Sequence, residues 1–202
     1  SDTGAHVHNQ LLCYGIETIL PVHDVPLLGE HNLSNVLGAI TVVQQLAIDT
    51  TRIAEAIRTF QPLPHRLQSV GTFRDITFIN DSLATTPEAT LAALQAITPV
   101  GTLFLGGLDR GYDFTTLAQR IVALHIPNVI LFPDSGATIA GALEMTGYKG
   151  ALHHSSTMED AVRWAYEHTP AHTTALLSCA SPSYSLFKNF EDRGNQFTYW
   201  IQ

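Results

Sequence analysis

Apolar residues in the first part of the chain recur at the spacing of helices, after two short β-like runs. Residues 33–47 carry an apolar residue every three or four positions and residues 51–60 repeat this pattern, so both stretches are predicted to be helices. Within residues 11–28, the runs LLCY and TILPV predict a small edge hairpin, and residues 29–32 are predicted to be a turn. Because prolines follow the second helix and end it, we place a domain boundary after residue 63.

Beyond this boundary, short apolar strands alternate with amphipathic helices. The predicted strands are 67–72, 75–80, 101–105, 128–132, 149–152 and 173–178, and the predicted helices are 87–97, 114–124, 136–146, 158–168 and 184–199. This rhythm predicts an α/β fold, with a mostly parallel sheet and helices on both faces. The first two strands, joined by residues 71–74, are predicted to form an antiparallel hairpin at one edge.

The composition fits a folded protein, since 45% of the 202 residues are apolar and only 14% are charged. The net charge of −8 argues against nucleic acid and anionic membranes as partners. Cys13 and Cys179 lie far apart, so neither a zinc site nor a disulfide framework is indicated. Because no apolar run approaches the roughly 18 residues of a membrane span and no signal peptide is recognisable, a cytoplasmic protein is expected.

Three of the predicted strands end in polar or glycine-rich segments. These segments are Asn80-Asp81-Ser82, residues 106–113 and residues 178–183. Ligands of a parallel sheet bind beyond the carboxyl ends of its strands, so the three segments are expected to share one rim and to line a cleft. After the first segment, Thr86 is predicted to cap a helix that begins at Pro87. For each segment taken by itself, an ordinary turn is the alternative.

Several nucleotide-binding and catalytic motifs are absent from the sequence. Its only lysines, Lys149 and Lys188, do not follow a glycine-rich loop, which excludes a P-loop of the GxxxxGK[ST] type within this chain. GxGxxG, HExxH, GxSxG and CxxC are absent as well. The adjacent pair His153-His154 would point to different faces of most backbones, so no metal site is predicted.

Five segments, taken in their order, resemble the Mur ligases. They are GEHNLSN at 29–35, PHR at 64–66, NDSLAT at 80–85, GGLDRG at 106–111 and FKNFEDRG at 187–194. Enzymes of this family have a UDP-binding domain, a central P-loop ATPase domain and a Rossmann-like C-terminal domain. The resemblance implies that residues 1–63 are a helical and β remnant of the central domain and that residues 64–202 are the Rossmann-like ligase domain.

What this resemblance implies is ATP-dependent formation of an amide bond in peptidoglycan precursor synthesis. ATP, together with Mg²⁺, would phosphorylate a carboxylate of a nucleotide sugar, and the amine of an amino acid would attack the acyl phosphate. The resemblance is strongest to the members that add D-glutamate to UDP-N-acetylmuramoyl-L-alanine. ATP and Mg²⁺ would be bound mainly outside this chain, which is expected to be inactive alone. A monomer is expected.

The resemblance also assigns nucleotide contacts. Asn32 and Asn35 match asparagines of the family's HNxxN segment, and helix capping is the alternative role for this pair. Arg66 and Asp81 match residues near adenine and ribose, where an aspartate can accept hydrogen bonds from the ribose hydroxyls. The alternative for Arg66 is an ion pair across the domain boundary, for example with Glu30.

A second group of residues matches the pocket for the incoming amino acid. These residues are Ser82, Leu83, Thr85, Arg110, Ser183 and Phe190. Leu83 departs from the family pattern, which has lysine at this position to face the carboxylate of glutamate. Arg110 can still hold a carboxylate with two hydrogen bonds. We therefore expect glutamate as the substrate, with its binding weakened.

Two other interpretations of the sequence stay open. The chain could be a non-enzymatic α/β module that stands alone and binds a nucleotide, a small acid or a partner protein. It could also belong to a ligase paralogue that uses another amino acid, since Leu83 makes one corner of the pocket apolar. A P-loop upstream of Ser1 would identify a ligase. The absence of an initiator methionine suggests that the sequence begins at a fragment boundary.

Overall fold

The structure is a computed structural model that describes residues 4–27 and 29–202. It divides into two compact units, Ser1–Pro62 and Leu63–Gln202. The division falls one residue before the boundary placed from the sequence, and the origin of the first unit in an ATPase domain stays a prediction. Residue 28, at the end of the predicted hairpin region, lies outside the described residues, as does the start of the chain at residues 1–3.

The described part of the first unit combines a small antiparallel sheet with two helices. Its elements are β1 (Ala5–His8), β2 (Leu11–Tyr14), β3 (Glu17–Pro21), α1 (Glu30–Gln44) and α2 (Thr50–Arg58), with a short 3₁₀ helix at Val22–Asp24. The strand order is β1-β2-β3, so the predicted hairpin is extended by a strand that the sequence pattern did not indicate. Leu12, Leu20, Ile40 and Ile53 form the centre of its core.

The predicted turn at residues 29–32 is wrong, because α1 already begins at Glu30. Gly29 occupies the N-cap with φ 94°, a backbone conformation that glycine adopts without strain. Asn32 consequently lies inside the first turn of the helix, which contradicts the alternative that Asn32 caps it. Asp49 does cap α2, since its side chain accepts a hydrogen bond of 2.9 Å from the Thr51 amide.

The second unit, residues 63–202, is a six-stranded sheet with helices on both faces, as predicted. Its strands are β4 (Gln68–Phe73), β5 (Ile76–Asn80), β6 (Val100–Gly107), β7 (Asn128–Asp134), β8 (Ala151–His154) and β9 (Thr174–Leu177). Its helices are α3 (Pro87–Ala96), α4 (Thr115–Ala123), α5 (Ser135–Met145), α6 (Met158–His168) and α7 (Phe190–Ile201). The strand order is β4-β5-β9-β6-β7-β8, and every pairing except β4 with β5 is parallel.

Side chains alternate between the two faces along the central strands. Leu103 and Leu105 of β6 belong to the cluster that α3, α4 and α5 cover. Phe104, between them, belongs to the opposite cluster, which α6 and α7 cover together with Phe187. Strands that are buried on both faces read as continuous apolar runs, which explains the predominantly apolar sequence of β6.

The edge hairpin was predicted correctly, but its connection was misplaced. β4 continues through Phe73, and the turn consists of Arg74 and Asp75, whose φ angles of 50° and 61° fit a two-residue turn of type I′. Gly71 lies within β4 instead, next to a register shift, with φ 142°. The glycine therefore marks a β-bulge and not the turn that its residue type suggested.

Both ends of the predicted helix 184–199 differ from the structure, in which α7 runs from Phe190 to Ile201. Asn189 is the N-cap, and its side chain accepts a hydrogen bond of 2.8 Å from the Asp192 amide. The six residues before Phe190 therefore belong to the loop after β9. The start of α3 was predicted correctly, because Thr86 caps the helix and Pro87 is its first residue.

Candidate active site

The loops that follow β5, β9 and β6 lie side by side, because β9 is inserted between the other two strands. The chain leaves β5 and β6 towards α3 and α4 on one face of the sheet, and it leaves β9 towards α7 on the other. Neighbouring strands whose connections diverge in this way open a crevice at their carboxyl ends. We call these three loops the rim; the prediction that the three polar strand ends share one edge is confirmed.

Backbone contacts hold the rim together tightly. The Gly106 amide donates a hydrogen bond of 2.8 Å to the Cys179 carbonyl oxygen, and the Leu108 amide does the same to the Pro182 oxygen at 2.8 Å. Gly107 has φ 148°, and a Cβ atom there would overlap the Pro182 carbonyl. The second glycine of the Gly-Gly pair is thus required by the close approach of two loops.

Asp81 is nearly buried on the rim, with 5% of its surface exposed. Its Oδ1 accepts a hydrogen bond of 3.1 Å from the Leu67 amide, and its Oδ2 accepts one of 2.8 Å from the Ser178 hydroxyl. Burial raises the pKa of the carboxyl to about 6, and the nearby cations Arg66 and Arg193 offset part of this effect. Both oxygens already have internal donors, so ribose would use their remaining lone pairs. That contact stays a prediction.

Asn80 ties the rim to α7 and to the segment that contains His65. Its Nδ2 donates a hydrogen bond of 2.9 Å to the Gly194 carbonyl oxygen and lies 3.1 Å from His65 Nδ1. A Cβ atom on Gly194 would overlap the His65 ring. Burial lowers the pKa of His65, which favours the neutral imidazole. The sequence motifs contain all three residues, yet their packing role was not predicted.

Arg193 is completely buried below the rim. Its Nε donates to the Ser82 hydroxyl at 3.0 Å, its Nη2 to the Ser82 carbonyl oxygen at 2.8 Å, and its Nη1 to the Ser181 carbonyl oxygen at 3.0 Å. The Ser82 hydroxyl in turn donates to the Phe190 carbonyl oxygen at 2.8 Å. Ser82 has no exposed surface, and its hydroxyl has no further hydrogen to offer an amino-acid substrate.

The other residues of the predicted amino-acid pocket all lie on the rim or at its border. Thr85 and Leu83 are half-buried on the loop after β5, and Ser183 is buried on the loop after β9. Phe190 is half-buried at the start of α7, and Arg110 is exposed on the loop after β6. Their contact with an amino acid stays a prediction, but the strand order does place them on adjoining loops.

The guanidinium of Arg110 is available to bind a carboxylate. It takes part in none of the ion pairs formed within residues 4–27 and 29–202. The preceding residue is fixed, since Asp109 Oδ2 accepts 2.9 Å from the Thr138 hydroxyl and its Oδ1 accepts 2.8 Å from the Gly111 amide. An exposed guanidinium on an anchored loop can bind a carboxylate without first breaking an internal ion pair.

The predicted nucleotide contacts are distributed over both units. Asn32 is buried and Asn35 is exposed on α1 of the first unit. Arg66 is half-buried in the second unit, where its charge acts on Asp81. The assignment of these residues to a nucleotide stays a prediction.

In the described part of the chain, no group of three or more His, Cys, Asp or Glu side chains could hold a metal ion. Among the described helices, none is long and apolar enough to cross a membrane.

Comparison with protein families gives a match over residues 65–181, to the family described as "Mur ligase, glutamate ligase domain". This match covers more than half of the chain. The chain belongs to the Mur ligase family. The matched region includes the loops after β5 and β6 and the first residues of the loop after β9, so most of the rim lies within it.

This Mur ligase chain is also similar to curated proteins over nearly all of its length. It is 37% identical over 195 residues to the UDP-N-acetylmuramoylalanine--D-glutamate ligase of Hahella chejuensis, covering 95% of this chain and 43% of that protein. The protein of the same name from Exiguobacterium sibiricum is 35% identical over 201 residues, covering 100% of this chain and 44% of that protein. The Mur ligase chain thus spans less than half the length of these relatives.

A solved structure supports the same fold. The MurF ligase of Thermotoga maritima, in complex with ADP, matches with a TM-score of 0.65 and 13% sequence identity, covering 98% of this chain and 45% of that chain. At this identity the likeness concerns the fold of the Mur ligase chain alone.

Proposed function

We propose that this chain is the C-terminal part of an ATP-dependent ligase that joins D-glutamate to UDP-N-acetylmuramoyl-L-alanine in peptidoglycan precursor synthesis. The observation that carries this proposal is the identity of 35–37% to enzymes named for that product, over 95% or more of the chain. The composition of the rim supports it, since an exposed cation, hydroxyl groups and a buried carboxylate lie there on adjoining loops.

In this reaction, ATP converts the carboxylate of the nucleotide sugar into an acyl phosphate, and the amine of glutamate replaces the phosphate through a tetrahedral intermediate. On this chain, Arg110 would bind a carboxylate of glutamate with two hydrogen bonds, while Thr85, Ser183 and Phe190 would line the pocket. Arg66 and Asp81 would bind adenine and ribose, with Asn32 and Asn35 as further nucleotide contacts. Holding glutamate close to the acyl phosphate is the main contribution expected of the rim.

The remaining parts of the enzyme would supply the P-loop, the Mg²⁺ ligands and the UDP-binding site. This chain alone is therefore expected to be inactive. We propose that the enzyme acts in the cytoplasm and that it does so as a monomer.

The test measures phosphate release by the longer protein that carries this chain. Release is expected only when ATP, Mg²⁺, UDP-N-acetylmuramoyl-L-alanine and D-glutamate are all present, and L-glutamate and D-aspartate serve as matched controls. The isolated 202-residue chain is assayed in parallel and is expected to release none. Turnover by the isolated chain would contradict the proposal that the P-loop, the Mg²⁺ ligands and the UDP-binding site lie in other parts of the enzyme.

One observation favours a second candidate, a ligase paralogue for another amino acid. Leu83 stands where the family pattern has a lysine, and an apolar side chain there makes the burial of a lone carboxylate costly. In the same assay, this candidate predicts that a less acidic amino acid supports faster phosphate release than D-glutamate does.

A further inference from the structure

Arg193 is the largest fully buried side chain in the described structure. No ion pair within the described residues includes it. A buried guanidinium without a paired carboxylate is costly unless hydrogen bonds satisfy its donors. The acceptors of Arg193 are the Ser82 hydroxyl and carbonyl oxygens and the Ser181 carbonyl oxygen, with the Gly106 oxygen at the longer distance of 3.5 Å.

These acceptors come from three different segments. Ser82 is on the loop after β5, Ser181 is on the loop after β9, and Gly106 is at the end of β6. Arg193 itself is on α7, so one planar group connects the loops after β5 and β9, and more weakly the end of β6, to a single helix. The fork of a guanidinium can reach several acceptors in fixed directions, whereas an ammonium cannot reproduce that geometry.

Each connected loop carries residues of the proposed amino-acid pocket. Leu83 directly follows Ser82, and Ser183 comes two residues after Ser181. Phe190 is held to the same cluster, since its carbonyl oxygen accepts the Ser82 hydroxyl at 2.8 Å. Arg193 and Ser82 thus join the segments that carry these pocket residues, although neither side chain has any exposed surface.

We propose that Arg193 is a positioning residue for the amino-acid pocket, and that Ser82 acts together with it instead of contacting the amino acid. The guanidinium fixes the spacing between the loops after β5 and β9, next to the end of β6. This inference rests on the proposed function, because it concerns the pocket of the same reaction.

The test uses the full-length ligase and compares Arg193→Lys, Ser82→Ala and the double variant with the wild type. In Arg193→Lys the KM for D-glutamate is expected to rise about 10- to 100-fold, since small displacements of positioning groups have effects of this size. The KM for the nucleotide sugar is expected to stay within about twofold, because that substrate is bound elsewhere. Ser82→Ala is expected to raise the glutamate KM less, and the double variant is expected to be no worse than Arg193→Lys, because the two residues act through one contact.

Phe197→Leu is the matched control for stability. Phe197 is also buried on α7, but it packs against Phe78 and Phe104 on the sheet and not against the rim. This variant is expected to lower the melting temperature while leaving the glutamate KM unchanged. If Arg193→Lys likewise lowers the melting temperature without raising the glutamate KM, the proposal is overturned. It is also overturned if Ser82→Ala alone abolishes glutamate binding.

If the Arg193→Lys variant does not fold, the Ser82→Ala variant tests the proposal instead. This variant removes one acceptor and leaves the guanidinium in place, and an unchanged glutamate KM would then contradict the proposal. Failure of the proposed function has a different signature, because the wild-type enzyme itself would then show no phosphate release dependent on D-glutamate.

Discussion

The Ser178 hydroxyl donates a hydrogen bond of 2.8 Å to Oδ2 of Asp81, so a carboxylate at the end of β5 is held by the loop of the neighbouring strand β9. The Leu67 amide holds the other oxygen of the same carboxylate. These two bonds do not fully compensate for burial, since the pKa of Asp81 is raised to about 6 from its ordinary value of 3.8. Folding stability should therefore depend on pH through this residue.

A raised pKa means that the folded protein holds the Asp81 proton more tightly than the unfolded chain does. The stability gained from this group is fully present below about pH 4 and is lost as pH rises through about 6, a change of roughly 3 kcal/mol. Asp81→Asn abolishes the titration, because a carboxamide does not ionise in this pH range. The variant can keep both contacts, since the amide can accept from the Leu67 amide and donate to the Ser178 hydroxyl. Relative to the wild type, the variant is expected to gain stability as pH rises from 4 to 7.

Urea unfolding of the wild type and of Asp81→Asn across this pH range measures the difference. Glu144→Gln, which removes an exposed carboxylate from α5, controls for the change of net charge. A stability difference between the wild type and Asp81→Asn that does not vary with pH would show that burial of Asp81 is not what limits its ionisation.

Leu83→Lys should strengthen glutamate binding if position 83 faces the substrate. The new ammonium would add a charge-assisted hydrogen bond to a carboxylate, which is worth roughly 1.5–3 kcal/mol, or about 10- to 150-fold in the KM for D-glutamate. Leu83→Met keeps an apolar side chain of similar size and is expected to leave this KM unchanged. An unaltered specificity constant in the lysine variant would place residue 83 away from the amino acid.

Gly194→Ala is expected to destabilise the second unit by about 1–3 kcal/mol, because the added methyl group would overlap the His65 ring, which Asn80 holds in place. Gly141→Ala is the control. Gly141 is likewise inside a helix, but a Cβ atom there meets nothing within 4 Å, so this variant should gain roughly 0.5–1 kcal/mol from helix propensity. Equal effects of the two substitutions on thermal unfolding would contradict the close packing at His65.

Weak binding of ADP to this chain is expected, with a dissociation constant near millimolar, about −4 kcal/mol, because the phosphates lack a P-loop here. An NMR titration should shift the amide signals of Arg66 and Asp81 first. Arg66→Ala should reduce these shifts at equal ADP concentration, and shifts confined to residues 149–170 would identify a different site.

The sequence predicted the βα rhythm well, because apolar runs such as that of β6 and signals such as Thr86-Pro87 act locally. It misplaced the start of α7 by six residues, although Asn189 followed by Asp192 is a capping signal that was present in the sequence. The turn predicted at residues 71–74 was also misplaced. Glycine occurs in β-bulges as well as in turns, and Gly71 lies beside a bulge in β4.

The packing around the rim could not be predicted in the same way. An arginine in an amphipathic helix is normally exposed, and nothing local to Arg193 indicates that it is buried. Its acceptors at Ser82 and Ser181 come from distant parts of the sequence, and only the strand order brings them together. The family pattern consequently predicted that Ser82 contacts the substrate, whereas in the structure its hydroxyl forms hydrogen bonds with Phe190 and Arg193.

The central place of β9 has a consequence for synthesis on the ribosome. Asp81 and Ser178, at the ends of β5 and β9, are 97 residues apart, which takes about 5–20 s to translate at ~5–20 residues per second. Until β9 emerges, β5 and β6 each present an unpaired strand edge, and such edges pair readily with other chains. A nascent chain stalled before Thr174 would thus be a substrate for chaperones and proteases.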